Sequence, residues 1–247
     1  MGIYTGAGGI ARQVSKLYIG VDGTARQVQK MYVGVDGKAR LVYACGSPIS
    51  GRSVGSIVKI RVNGAYRDFI IVHQGLPSGD YDASCNGVWL LQRYVYDNVS
   101  YNSDFYENSN IHSYMNNTFF SQLDAGVQGI VKWVKIPFRD NTGAKGLDTR
   151  AFALSAAESG DKNTIGDTCG TTLAYFAAGN SASATYENGS AQTWWTRTRY
   201  KGMFSSGMYY IMENGGNNHS SGGTYAVRPC IIVPYNTLVD ENGYIVA

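Results

Sequence analysis

A 14-residue repeat opens the chain and restricts what its first segment can become. Ala11-Arg12-Gln13-Val14, Ala25-Arg26-Gln27-Val28 and Ala39-Arg40-Leu41-Val42 recur at that interval. Leu17-Tyr18-Ile19-Gly20-Val21-Asp22-Gly23 and Met31-Tyr32-Val33-Gly34-Val35-Asp36-Gly37 stand between them. Asp-Gly accepts the positive φ angles of a tight turn and the flanking Tyr, Ile and Val favour extended backbone, so each unit reads as a hairpin. A hairpin this small cannot bury a core and needs neighbours, from its own chain or from other subunits. Residues 1–46 are therefore expected to form an assembly segment, with a flexible tail as the other reading. Ser47-Pro48-Ile49-Ser50-Gly51 reads as a joint, and 47–247 as a second, larger domain.

In that domain, Ile57 to Val62, Phe69 to His73 and Val88 to Tyr96 are apolar runs of strand length. Ile111, Met115, Phe119 and Leu123 are spaced by four and predict one face of a helix, with Ser109 as its N-cap. The stretch 124–134 is less periodic and holds two glycines. Ala151 to Ser155 resembles a short buried strand, and 171–178 a short helix. From Trp194 onward the expectation is strand fragments joined by Gly/Asn/Ser loops, closing on Val227 to Val233. Strands and helices without βαβ alternation imply an α+β fold.

Composition removes several function classes. Of the 247 residues 44% are hydrophobic and only 16% charged, which fits a folded globular chain. A net charge of +3 without a basic run gives no footprint for nucleic acid. No apolar stretch reaches the roughly 18 residues needed to span a bilayer, so membrane insertion is not expected. The first 30 residues lack the pattern of a secretory signal, and release by a route such as lysis is the expectation. Cys45, Cys85, Cys169 and Cys230 lack C-x-x-C spacing. They read as free buried thiols, with a Cys169–Cys230 disulfide as the alternative. With 19 Tyr and 31 Gly, much of the surface must be neutral and aromatic; tyrosine gives large contact area for few rotatable bonds.

Residues 52–236 resemble the C-type-lectin-like domains of phage and bacterial surface proteins of gut Firmicutes, related in fold to the formylglycine-generating-enzyme superfamily. Trp89-Leu90-Leu91, Ser109 to Asn116, Ala151 to Glu158, Trp194-Trp195-Thr196-Arg197-Thr198 and Val227-Arg228-Pro229 carry the resemblance. The hairpin repeats are similar to those of phage tail-associated proteins. The family pattern has Ser-Pro after its Trp-Trp-x-Arg run, where this chain has Thr198-Arg199. The resemblance implies a phage or prophage tail protein in the virion, or in the bacterial cytoplasm before release. It would recognise a host cell-surface protein or glycan, beside other tail proteins and in an assembly that is commonly a homotrimer. Some relatives are diversified by retroelements, and the stretch 200–225 is rich in residue types that such substitution produces. A structural tail or baseplate component is the competing expectation.

The candidate ligand-binding residues are Trp195, Arg197, Arg199, Tyr200, Met203, Phe204, Tyr209, Asn217, Asn218, His219 and Tyr225. They combine rings, guanidinium groups and amides, the groups that dominate binding hot spots, in segments expected to be surface loops; an inert loop is the other reading. Arg228 beside Pro229 reads as a structural donor. No cofactor or metal is expected: the Glu-Pro-Asn, Gln-Pro-Asp and Trp-Asn-Asp signatures of calcium-dependent lectins are missing, and Asp97, Asp104 and Glu107 read as a solvated acidic loop. Enzymatic activity is not expected either. The cysteines lack the close spacing that oxidase chemistry needs, and His73, His112 and His219 read as structural or surface residues. Gly6-Ala7-Gly8-Gly9-Ile10-Ala11 mimics a dinucleotide fingerprint, but no strand is expected before it and no βαβ unit surrounds it.

Overall fold

The computed structural model describes residues 4–7, 10–13, 17–28, 30–35, 37–102, 105–140, 143–161, 166–167, 169–201 and 206–246. The repeats form three two-stranded hairpins: Tyr4–Ala7 with Ile10–Gln13, Tyr18–Val21 with Thr24–Gln27, and Lys30–Val35 with Lys38–Ala44. Asp22 (φ 51°) and Gly23 (φ 74°) make the turn of the second, as the Asp-Gly pair predicts. Tyr4–Ala7 is thus a strand, but another strand and not a helix follows it.

The expected joint is an anchor. Ser47–Pro48 pairs antiparallel with Leu238–Val239, and Ile49 is fully buried and donates its N–H to the Thr237 carbonyl.

The rest is predominantly antiparallel β with few helices, an α+β arrangement. One sheet runs in the order Ala151–Phe152, Cys230–Val233, Gly87–Gln92, Ala65–Gly75, Ile57–Val62. Phe69 to Val72, Val88 to Leu91 and Cys230 to Val233 are unbroken apolar runs in its middle strands because both faces are covered. Phe69, Ile71, Val88, Leu90, Ile231 and Val233 enter one core. Ile70, Val72, Trp89, Leu91, Cys230 and Ile232 enter the other. The third predicted strand stops at Gln92, short of Tyr96, and of the expected strand 151–155 only Ala151–Phe152 pairs. The helix predicted over 171–178 narrows to Ala174–Ala177, and Ala125–Ile130 is helical despite its glycines.

Ser109 caps the helix as expected, its Oγ accepting the His112 N–H at 3.2 Å. The helix runs Asn110–Ser113, widens to a π stretch at Tyr114–Phe119 and ends at Phe120–Gln122. Ile111, Met115 and Phe119 lie in the first core. Within the π stretch, Asn116 ties the helix to the sheet: its amide nitrogen donates to the Ala151 carbonyl at 2.9 Å and its oxygen accepts from Thr149 Oγ1 at 2.9 Å. All four cysteines are free thiols. Among the described residues no helix is long and apolar enough to cross a membrane.

Candidate functional site

The tail end of the chain is a sheet where loops are expected. Asn98–Tyr101, Gly223–Ala226, Trp194–Lys201, Ser206–Ile211 and Asn217–Ser220 lie side by side, and Gly166–Asp167 pairs with the Trp194–Lys201 strand. The polar run 213–223 resolves into a turn at 212–216, the Asn217–Ser220 strand and the start of the next strand. Gly207 permits this closeness: a Cβ there would collide with the Ser220 carbonyl.

Alternation along these strands then divides the candidate residues between two faces. Trp194 and Trp195 make the division visible. Trp194 sits in one core and donates Nε1–H to the Ala182 carbonyl at 3.0 Å; Trp195 sits in the other and donates to the Val99 carbonyl at 2.8 Å. Residues directly opposite in register share a face. Trp194 opposes Ile211, and Trp195 opposes Tyr210. Tyr209 opposes His219, whereas Tyr210 opposes Asn218.

Four candidates are therefore corrected. Trp195 has no exposed surface and supports the tyrosines above it. Tyr209, 4% exposed, lies beneath the Tyr200–His219 stack. Arg199, 9% exposed, lies over the Phe105 ring at 4.4 Å. Arg197 is buried in a bidentate ion pair with Glu158, Nη1 to Oε2 and Nη2 to Oε1 both at 2.5 Å. It also donates to the carbonyls of Ala153 and Pro137, and Tyr81 Oη donates to Glu158 at 2.7 Å. Burial alone would drive the guanidinium toward deprotonation, but the Glu158 carboxylate outweighs it and raises the pKa. The physical reason is common to all four: a large side chain pointing into a two-sided sheet is covered, whatever its polarity. Met203 and Phe204 lie outside the described residues. Tyr200, Asn217, His219 and Tyr225 are half-buried and Asn218 is exposed, with Asn217 donating to Asp161.

Arg228 is the structural donor expected, giving hydrogen bonds to the Gln92 and Arg93 carbonyls at 2.9 and 3.1 Å and lying over Trp194. Burial lowers its pKa to about 10. His73 Nδ1 accepts the Ala174 N–H at 3.3 Å and His112 Nδ1 meets the Glu107 carbonyl at 3.1 Å; burial lowers both pKa values. Burial pushes the Cys85 thiol up to about 11 and raises Cys169 and Cys230 as well. Asp97 accepts from the Asn98 amide and the Tyr114 hydroxyl. Among the described residues no group of three His, Cys, Asp or Glu side chains is placed to hold a metal.

On the Trp195 face an open cleft of about 360 Å³ is lined by Thr193, Tyr210, Met212, Glu213, Asn214 and Tyr225. The Tyr210 and Tyr225 ring centroids are 4.6 Å apart at 52°, and Trp195 backs them at 5.9 and 4.8 Å. Burial, then the neighbouring Tyr225 phenol, raises the Tyr210 pKa and keeps it neutral. The rim is held by the 212–216 turn, where Met212 N–H meets the Gly216 carbonyl at 2.7 Å and Gly216 N–H meets Asn214 Oδ1 at 3.0 Å. Of this lining only Tyr225 is among the sequence candidates. Tyr210 was accessible to the register argument, as the residue opposite Trp195, once 206–211 is taken as a strand. Two other clefts are less suited to a ligand. The one of about 400 Å³ sets Asp80 and Asp82 against Lys135 and Lys145, and the one of about 260 Å³ has Phe176 as its one ring.

No curated protein and no solved structure matches the chain. The model of one family, described as "Domain of unknown function (DUF6273)", matches residues 86–235, which contain the helix, both tryptophan strands and the whole cleft. With more than half its length in that match, the chain belongs to the DUF6273 family.

Proposed function

We propose that the chain is a non-enzymatic binding protein with a C-type-lectin-like domain, carried on a phage or prophage tail by its hairpin segment, and that it grips a host-surface protein or glycan in the Tyr210–Tyr225 cleft. The carrying observation is that cleft: two partly exposed tyrosine rings, backed by a fully buried tryptophan, on strands that cannot shift without breaking a sheet. Such rings offer contact area with little ordering cost, and a rigid platform retains the binding energy that loop closure would consume.

Other features support the reading. Tyr18, Ile19, Tyr32 and Val33 are each at least 45% exposed, and consecutive residues point to opposite faces of a hairpin, so both faces present apolar area for neighbours. Further copies, as in a trimer, or other tail proteins would cover it, and several copies per particle would turn modest affinity into avidity. The raised thiol pKa values and the engaged histidines favour binding over nucleophilic catalysis. The half-buried and exposed residues of 217–225 suit diversification by a retroelement.

Alanine at Tyr210 or Tyr225 tests the proposal. Binding of the purified chain to envelopes of gut Firmicutes should fall about tenfold or more, in line with hot-spot truncation, while Tyr200→Ala leaves it unchanged. Unchanged binding by both cleft variants, with particle assembly lost instead, would favour the structural-component alternative and reject this one.

A further inference from the structure

We infer that the cleft takes a compact organic cation, an ammonium group carried by the ligand, with the Tyr210 and Tyr225 rings as its walls and Glu213 as its counter-ion. The inference rests on the binding-site reading and specifies the chemistry of its ligand.

Three observations converge. First, the rings meet at 52° with centroids 4.6 Å apart, so they form a corner and not a parallel stack. Two aromatic faces turned toward one region add their negative quadrupole potential there, the arrangement that holds ammonium groups in aromatic cages. Trp195 stands 4.8 Å behind Tyr225 and is itself braced by Tyr101 at 5.7 Å, which keeps the corner from closing inward.

Second, the charge of the lining has one sign. Among the described residues of the lining, Thr193, Tyr210, Met212, Asn214 and Tyr225 are neutral and Glu213 alone is charged. Among the described residues Glu213 has neither an ion-pair nor a hydrogen-bond partner of its own side chain, although its neighbours in the turn are tied down. Among the described residues no Lys, Arg or His lines the cleft to occupy the corner or to favour an anion. The chain as a whole carries +3, so this acidic aromatic spot runs against the overall balance.

Third, the two other clefts among the described residues lack the combination. The acidic pair Asp80 and Asp82 faces Lys135 and Lys145, and the Tyr200–His219 rings on the opposite face are stacked at 3.4 Å and 12°, which closes one face of each ring to a ligand. An ammonium group could belong to a quaternary amine on a surface polymer or to a lysine side chain of a surface protein; both share the chemistry that the corner recognises.

The experiment titrates the full chain with choline chloride, with Nα-acetyl-lysine amide and with 3,3-dimethylbutan-1-ol, the neutral isostere of choline. Chemical-shift changes are followed by NMR, and the same variants are assayed on bacterial envelopes. At least one of the two cations should bind saturably, and the tighter one names the source. The neutral alcohol should bind at least about fivefold more weakly than choline, the expected scale of a partly exposed cation–π site. Glu213→Gln should weaken the cations about three- to tenfold without affecting the alcohol, and added salt should act in the same direction. Tyr225→Leu, checked for an unchanged melting temperature, should weaken both cations.

Equal binding of choline and its neutral isostere overturns the inference, as does indifference of the cations to Glu213→Gln, or no binding of either cation. If envelope binding still depends on Tyr225 in those cases, the cleft remains a binding site for a ligand without an ammonium group. If envelope binding ignores Tyr225 while choline binds as described, the cation site stands and the host-recognition reading falls.

Discussion

Two regions of the tail-end sheet treat charge in opposite ways: the interior around Arg197 and the open cleft beside Tyr210 and Tyr225. In the interior Arg197 is fully covered and donates to Glu158 and to the Ala153 and Pro137 carbonyls, while Tyr81 donates to the same carboxylate. In the cleft, Glu213 stands at the rim with no side-chain partner among the described residues, beside rings that remain partly open to solvent. A buried charge is tolerated only when paired, so the first arrangement fixes structure. A charge left unpaired at an aromatic surface stabilises nothing in the free protein, and it is available to a ligand. Residue type alone does not distinguish the two: an arginine that looks like a hot-spot residue is structural, and a glutamate in a turn is the better candidate.

The comparison breaks most visibly at Arg197. Arg197→Met leaves the Glu158 carboxylate buried and uncompensated, and should destabilise the domain by about 3–5 kcal/mol in urea unfolding. Adding Glu158→Met should recover much of that loss, because a buried pair replaced by apolar groups of similar volume is often near neutral. A single-variant cost under about 1 kcal/mol would mean that the pair does not hold the strand in place.

A smaller effect follows from the histidines. His73 and His112 are held below the ordinary imidazole value of 6.5 by burial, so both are neutral in the folded chain near neutral pH. As pH falls through 6.5 the unfolded chain binds protons that the folded chain does not. Their contribution to stability is therefore complete above that pH and declines below it, until the folded histidines also protonate. For His73 burial is the cause, and a proton on Nδ1 would also displace the hydrogen bond accepted from Ala174. Urea midpoints measured from pH 7.5 to 5 should fall, and His73→Gln should flatten part of the decline; identical slopes would remove His73 from the account.

Much of the scaffold was legible in the sequence. Ile111, Met115 and Phe119, with Ser109 before them, marked the helix and its start, because burial of one stripe needs that spacing; Leu123, expected on the same face, is extended and lies just past the helix end. The π widening at Tyr114–Phe119 was not legible, and neither was the hydrogen bond within it from Asn116 to the distant Ala151 carbonyl. The hairpins could be read from Asp-Gly and its flanks. The site was harder. Gly, Asn and Ser in 213–223 suggest loop by composition, yet the backbone pairs with strands fixed by Trp194 and Trp195, and tertiary pairing overrides propensity. Arg197 and Glu158 stand 39 residues apart, and nothing local marks them as partners. Sequence reasoning therefore gathered Tyr200, Tyr209, His219 and Tyr225 into one site, where alternation sends Tyr225 to one face and the other three to the opposite one.

That division can be tested ring by ring. NMR of the chain with isotope-labelled tyrosine rings, titrated with envelope fragments that it binds, reports each face separately. The account predicts that the Tyr210 and Tyr225 resonances move together at one affinity while those of Tyr200 and Tyr209 stay in place. Movement of Tyr200 and Tyr209 with Tyr210 and Tyr225 unchanged would place the ligand on the other face and contradict it.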